Sequence, residues 1–143
     1  MTPKEYDALV RQLSPRSPIG KDTALAFVIG GAICTVGQLI SAGWQSLGLT
    51  QADASAATSV TLVFLSVLAT SLGRYHRLAR YAGAGTLVPI TGFANAVASP
   101  AIDFRAEGII TGTAVKMFTV AGPVIVFGTA ASVVYGVILC LLA

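Results

Sequence analysis

Long stretches without charged side chains dominate this sequence. Residues 23–52, 54–73, 81–102 and 117–143 contain no Asp, Glu, Lys or Arg. A helix that crosses the hydrocarbon core of a bilayer needs about 20 apolar residues, so the chain allows at most four or five crossings. The stretches lack the alternation of polar and apolar residues that marks the strands of a membrane β-barrel. The pattern therefore predicts an all-α integral membrane protein.

The N-terminal residues follow a different pattern. Thr2, Pro3 and Glu5 fit a capping box with proline at the first helical position. Apolar side chains then recur at helical spacing, at Tyr6, Leu9, Val10 and Leu13. The pattern predicts a short amphipathic helix. Its apolar face contacts either the membrane surface or a partner, or it packs against the protein's own loops, and the sequence leaves these alternatives open. Residues 14–18 contain two prolines and predict a linker.

The first half of the apolar region predicts two complete spans, residues 23–42 and 58–72. Between them, residues 43–57 carry no Lys or Arg and predict a linker, with Trp44 as an interfacial anchor. The apolar side chains of the second span predict a surface that faces lipid. Close helix packing in the first span is predicted at three glycines: Gly30, Gly31 and Gly37.

The second half is interrupted. Residues 82–101 are uncharged but include three glycines and two prolines, which predicts a broken or re-entrant half-helix. Residues 108–142 are too long for one crossing, and Gly122 with Pro123 predicts their division into a second broken half-helix and a final span. The total is about three full transmembrane helices plus two half-helices. Further packing glycines are predicted here: Gly108, Gly112 and Gly122.

The distribution of Lys and Arg predicts the orientation. Residues 1–22 contain four of these cations, residues 43–57 contain none, and residues 73–81 contain three. Cytoplasmic segments are enriched in such cations, so the N-terminus and the arginine segment are expected on the cytoplasmic side. We divide the chain into residues 1–22, a cytoplasmic amphipathic helix with its linker, and residues 23–143, a single transmembrane domain.

The inventory of reactive side chains is small. The chain has one histidine, His76, and two cysteines, Cys34 and Cys140, with no catalytic triad and no metal-ligand spacing. We therefore expect no enzyme activity, no metal and no cofactor. The net charge of +3 and the isoelectric point near 9.1 would suggest nucleic acid in a soluble protein. Here the cations flank apolar helices, so nucleic-acid binding is not expected.

Lys116 has the most unusual position of the cations, because a charge inside a membrane helix is costly. Its side chain extends to the interface, pairs with Asp103 or Glu107, or offers its ammonium group to an anion. The sequence leaves these three alternatives open.

The three arginines near His76 form a cluster of cations, and two roles are open for this cluster. They set topology and contact lipid headgroups, or they gather anions at a pore mouth. Asn95, in the broken segment, bonds to another helix or contacts substrate. The candidate residues for a substrate path or an anion site are Arg74, Arg77, Arg80, Pro89, Thr91, Gly92, Asn95 and Lys116.

Three blocks of sequence resemble one known family. They read GGAICTVGQ at residues 30–38, YAGAGTLVPITGFANA at residues 81–96 and KMFTVAGPVIVFG at residues 116–128. Their order and composition are similar to those of the stage V sporulation protein AC/AEb family, over nearly all of residues 24–143. The N-terminal tail and the length resemble the AC branch more than the shorter AEb branch.

The resemblance implies a protein of the inner spore (forespore) membrane that works with other SpoVA proteins. It implies dipicolinic acid as cargo, with calcium, during sporulation and germination, and partners of the membrane AEb type and the soluble AD type. A chain this small is expected to assemble as a hetero- or homo-oligomer and to contact membrane lipids. The channel opens in response to germinant signalling or to membrane tension, and the sequence does not choose between them. The alternative function is a purely structural anchor that recruits soluble SpoVA partners.

Overall fold

A computed structural model describes residues 2–13 and 18–142 of the chain. Within these residues the fold is all-α, which confirms the predicted class, and three helices are long and apolar enough to cross a membrane. The helices are α1 (Pro3–Leu13), α2 (Ile19–Ser46), α3 (Gln51–Ser71), α4 (Arg74–Ala82), α5 (Pro89–Asp103) and α6 (Val115–Leu142). The helices of the second half are joined by short turns: 3₁₀ turns at Gly83–Thr86 and Arg105–Glu107, and a π-helical turn at Ile109–Ala114 that leads directly into α6.

Helix α1 begins as its capping box predicts. The Thr2 amide donates to a carboxylate oxygen of Glu5 at 2.7 Å, and the Glu5 amide donates to the Thr2 hydroxyl at 3.4 Å. Most of the predicted linker, residues 14–17, lies outside the described residues. Helix α2 already begins at Ile19. The first span therefore starts four residues before the predicted boundary at residue 23.

The predicted linker of residues 43–57 is wrong in extent, because the non-helical connection covers only residues 47–50. Helix α3 begins at Gln51, where the Thr50 hydroxyl accepts a hydrogen bond from the Asp53 amide at 3.3 Å. This N-cap and the alanines that follow favour helix over loop. Trp44 lies in the last turn of α2, and its indole N–H donates to the Thr61 hydroxyl at 3.3 Å.

The 3₁₀ turn and helix α5 form the broken or re-entrant segment that the sequence predicts in residues 82–101, and α4, which carries the arginines, leads into it. Helix α5 runs parallel to α3, because Ser66 contacts Thr91 and Thr70 contacts Asn95, two pairs with the same sequence separation. Its 15 residues extend about 22 Å, against about 30 Å for a hydrocarbon core. The chain therefore rises from the end of α3, reverses inside the bundle and returns to the same end. We call this end, which carries Arg74, the arginine end, and the opposite one the Trp44 end.

The last span is longer than predicted. Residues Ile109–Leu142 form one continuous helix, so Gly122 and Pro123 do not divide it. Pro123 removes one backbone donor, but in an apolar surrounding any non-helical alternative would leave several backbone groups without partners. The predicted second half-helix is therefore the first part of the third span. This helix is antiparallel to α5, since Thr113 contacts the carbonyl of Ala101 and Gly112 packs against Phe104.

Backbone contact between the 3₁₀ turn and α2 positions the re-entrant segment. A Cβ atom at Gly85 would lie 2.5 Å from the carbonyl oxygen of Ala26, and one at Gly30 would lie 3.2 Å from that of Gly85. The Tyr75 hydroxyl donates to the Thr86 carbonyl at 2.8 Å and satisfies a group that the turn leaves without a helical partner. Two backbones can approach this closely only because both positions are glycine.

We predict that Gly85→Ala destabilises the protein by about 1–3 kcal/mol, because the added methyl group meets backbone rather than a movable side chain. The matched control is Gly31→Ala, where a Cβ atom meets nothing within 4 Å outside its own helix. Thermal unfolding in detergent measures both variants. Equal stability of the two would contradict the close contact.

Candidate functional site

A stripe of small and polar side chains runs along the buried face of α3. Its members recur every four residues, and the buried ones are Ala54, Thr58, Leu62 and Ser66. Thr70, half-buried, continues the series. The sequence analysis predicted that the surface of this helix faces lipid, and it missed the stripe. The four-residue spacing of its hydroxyl residues was the available signal.

Two side-chain contacts join this stripe to α5. The Ser66 hydroxyl, 3% exposed, donates to the Thr91 carbonyl at 2.7 Å. The Thr70 hydroxyl oxygen lies 2.8 Å from both the Asn95 side-chain oxygen and the Ser66 carbonyl. A hydroxyl group has one proton, so Thr70 donates to one of these acceptors at a time. Hydroxyl and amide groups therefore line the contact between α3 and α5.

The N-terminus of α5 lies inside the bundle and is incompletely capped. Val88, the N-cap residue, supplies no side-chain acceptor, and Pro89 has no amide hydrogen. Gly92 donates to the Val88 carbonyl at 2.7 Å. The Thr91 hydroxyl, on a residue 7% exposed, has no hydrogen-bond partner. Because a buried unsatisfied polar group costs about 1–3 kcal/mol, this hydroxyl is an unusual feature of the fold.

A cavity of about 350 Å³ adjoins the start of α5, between α2 and α3; most of its surface is apolar, but five of its eleven lining residues are polar, and we call it the polar cavity. Val88 and Ile90 line it from the α5 side, and Cys34 lines it from α2. It extends toward the Trp44 end, since its lining includes the second turn of α3. Its polar lining residues are Gln38, Ser41, Ser55, Thr58 and Ser59.

An apolar cavity of about 430 Å³ lies on the other side of the same contact. It is bounded by α2, α3, Tyr75 and Leu78, and Thr91 and Ser66 are its hydroxyl-bearing residues. Ile33 and Leu62 line both cavities and therefore stand between them.

The predicted arginines lie on α4, with all three side chains exposed: Arg74, Arg77 and Arg80. An Arg80 guanidinium nitrogen lies 3.3 Å from His76 Nε2. Tyr75 on the opposite face is buried and attaches the helix to the 3₁₀ turn. The geometry leaves the cations free to face solvent, headgroups or a mobile anion at the arginine end.

Lys116 is remote from the other predicted path residues. Its Nζ lies 4.3 Å from the ring centroid of Phe104, at the C-terminus of α5. Both the aromatic face and the negative end of the helix dipole stabilise a cation there. Among the described residues Lys116 forms no ion pair with Asp103 or Glu107, so that alternative is not the one in this structure. The structure thus separates Lys116 from Thr91 by almost the whole length of α5.

The predicted glycines have different surroundings. Gly30 faces Gly85, Gly37 faces a methyl group of Leu62, and Gly112 packs against Phe104 and Glu107. Gly108 adopts φ +102°, a conformation that L side chains rarely adopt, and serves the turn before the last span. A Cβ atom added at Gly31 or Gly122 would meet nothing within 4 Å outside its own helix. Close packing against these two positions therefore requires another chain.

Gly92 and Pro89 shape the reversal. A Cβ atom at Gly92 would lie 2.9 Å from the Thr86 carbonyl oxygen, so the backbone before α5 passes directly over this position. Pro89 is the first residue of α5, where its missing amide hydrogen breaks no helical bond. Among residues 2–13 and 18–142, no group of three His, Cys, Asp or Glu side chains could hold a metal ion.

These features define a class: a small all-α membrane protein with three candidate spans and a re-entrant helix whose N-terminus meets a polar cavity. The family described as SpoVAC/SpoVAEB sporulation membrane protein matches residues 22–138, and the chain belongs to this family. The chain is 38% identical over 136 residues to stage V sporulation protein AC of Bacillus subtilis (strain 168), covering 94% of this chain and 91% of the relative. No solved structure matches it significantly.

The cysteine in the polar cavity provides a test of water access. With Cys140 replaced by Ser, we predict that a charged thiol reagent modifies Cys34 about tenfold faster than a cysteine at position 35 in the Cys34→Ser background, because thiolates form in water and not in lipid. Thr35 is exposed but lines neither cavity. Mass spectrometry of the intact protein in liposomes measures both rates. Equal rates would mean that lipid fills the cavity.

Proposed function

We propose that this chain is a subunit of a spore inner-membrane complex that moves dipicolinic acid, with calcium, during sporulation and germination. The observation that carries the proposal is the re-entrant α5, whose polar contacts with α3 continue the polar cavity toward the arginine end. Family membership supports a role in sporulation. The cargo follows from the family resemblance of the sequence blocks.

The chemistry of the lining suits an anion with two carboxylates. Hydroxyl groups and the first-turn amides of α5 donate hydrogen bonds, and the positive end of the α5 dipole lies beside the cavity. The exposed arginines of α4 concentrate anions at the arginine end, which we place on the cytoplasmic side with the N-terminus. Lys116, near Phe104, has no part in this path.

One chain forms only one wall of such a path. Both cavities are open at the side, and the half of α6 beyond Pro123 is exposed along its whole length. A second chain, of the membrane AEb type or a copy of this one, would close the wall, and a soluble AD-type partner would bind at one end. The exposed apolar side chains of α1, such as Tyr6 and Leu13, favour a second role as an anchor for that soluble partner.

The decisive experiment reconstitutes the chain, alone and with an AEb-type partner, in liposomes loaded with dipicolinate. Release under osmotic tension and single-channel current are then recorded. We expect flux from at least one preparation. Correctly inserted protein that gives no flux in either would favour the anchor over the channel.

We predict that replacing Arg74, Arg77 and Arg80 together by Gln lowers dipicolinate flux roughly tenfold at low ionic strength and much less at physiological ionic strength. The Debye length falls from about 30 Å at 0.01 M salt to about 8 Å at 0.15 M, so mobile ions already screen the arginines in the second condition.

The matched control replaces the same three arginines by Lys, which keeps the charge and should keep the flux. Labelling of single cysteines at each end checks that the Gln variant has not inverted, since cytoplasmic cations also orient helices. A loss of flux that is the same at both ionic strengths would contradict attraction of anions by these side chains.

A further inference from the structure

The polar stripe of α3 contains one apolar interruption. Leu62 lies one helical turn from Thr58 and one from Ser66, and it is 9% exposed. Position 62 thus shares the buried face with hydroxyl residues on both sides. A residue that only packed against lipid would lie on another face of the helix, as Leu68 does with 44% exposure.

The side chain of Leu62 also points toward α2 at Gly37. A Cβ atom added at Gly37 would lie 3.4 Å from the Leu62 Cδ1 atom, so the absence of a side chain at Gly37 gives Leu62 its place between the two helices. Leu62 lines the polar cavity and the apolar cavity alike, together with Ile33. It therefore separates Gln38 and Thr58 on one side from Thr91 on the other.

The hydroxyl group of Thr91, beside this separation, lacks the bond that hydroxyl groups of α3 form. Other hydroxyl groups of α3, such as those of Thr58 and Thr61, donate to a carbonyl one turn earlier in their own helix. Thr91 has no such bond, because the residue one turn earlier, Leu87, precedes the helix. This hydroxyl group is therefore available to bond to water or to a carboxylate.

From these contacts we infer that Leu62, seated against Gly37, is a hydrophobic barrier that closes the path, and that its displacement gives an anionic cargo access to the Thr91 hydroxyl and the N-terminus of α5. The barrier works by excluding water from a narrow apolar section. The identity of the path rests on the proposed function, whereas the separation of the two cavities does not.

The first test measures leak. Leu62→Ser, in liposomes containing the chain with its membrane partner, should raise dipicolinate leak without tension by about tenfold or more, because a polar side chain lets water fill the constriction. Leu62→Ile keeps an apolar side chain of the same size and should leave the leak low. Leu68→Ser makes the same chemical change on the exposed face of α3, at a residue that lines neither cavity, and should also leave the leak low.

The second test needs no flux. In protein whose native cysteines are replaced by Ser, a cysteine at position 91 reports access to the far side of the barrier. A charged thiol reagent applied from the Trp44 side of sealed vesicles should modify Thr91→Cys about tenfold faster with Leu62→Ser than with Leu62. The Leu68→Ser change should leave the rate unaltered, because Leu68 lines neither cavity.

The two tests separate the barrier from the proposed function. Flux under tension in the unchanged protein, with neither leak nor faster labelling in Leu62→Ser, overturns the barrier and leaves the function standing. Faster labelling without flux in any preparation supports the barrier and overturns conduction by this chain. Neither flux nor faster labelling, in protein that inserts and stays folded, overturns both.

Discussion

The approach of two backbones at Gly85 determines where the chain can reverse inside the bundle. The 3₁₀ turn rests on α2 at Ala26 and Gly30, with no side chain between them. A turn at this depth exposes carbonyl groups that have no helical partner and that lipid cannot satisfy. Tyr75 donates to one such carbonyl, that of Thr86, while Ser66 donates to the carbonyl of Thr91 in the first turn of α5. The two interactions depend on one another, since the hydroxyl groups reach their acceptors only when the turn lies against α2.

The position of the reversal in turn places the two ends of α5 in different environments. Its N-terminus lies inside the bundle, where the positive end of the dipole and the first-turn amides meet the polar cavity. Its C-terminus lies near the arginine end, where Lys116 approaches Phe104. The C-terminal end of the dipole thus lies near a cation, and the N-terminal end lies beside a cavity with hydroxyl-bearing lining residues. This arrangement follows from the parallel course of α3 and α5 and would be lost if α5 crossed the membrane.

The features that were predictable from the sequence are those that depend on local composition. The capping box at Thr2, the three spans and the break in residues 82–101 follow from charge, apolar length and the positions of glycine and proline. The extent of α3 was not predictable, because alanine and serine before residue 58 suit a helix and a loop alike until Thr50 caps them. The continuity at Pro123 was missed for a related reason: the cost of a missing hydrogen bond depends on whether water can replace it. The stripe on α3 required knowing which face α5 covers.

The polar path that we propose is compatible with a closed bundle in so small a chain. Most hydroxyl groups of the spans donate to carbonyls of their own helices, so they add little cost while no cargo is present. Thr91 is different, because its hydroxyl is buried without a partner. A closed state that leaves this group unsatisfied is less stable than it would be with an apolar residue there, and an open state that hydrates it recovers that difference. In the proposed mechanism, the orphaned hydroxyl therefore lowers the free energy difference between closed and open states, while the apolar side chain of Leu62 raises it.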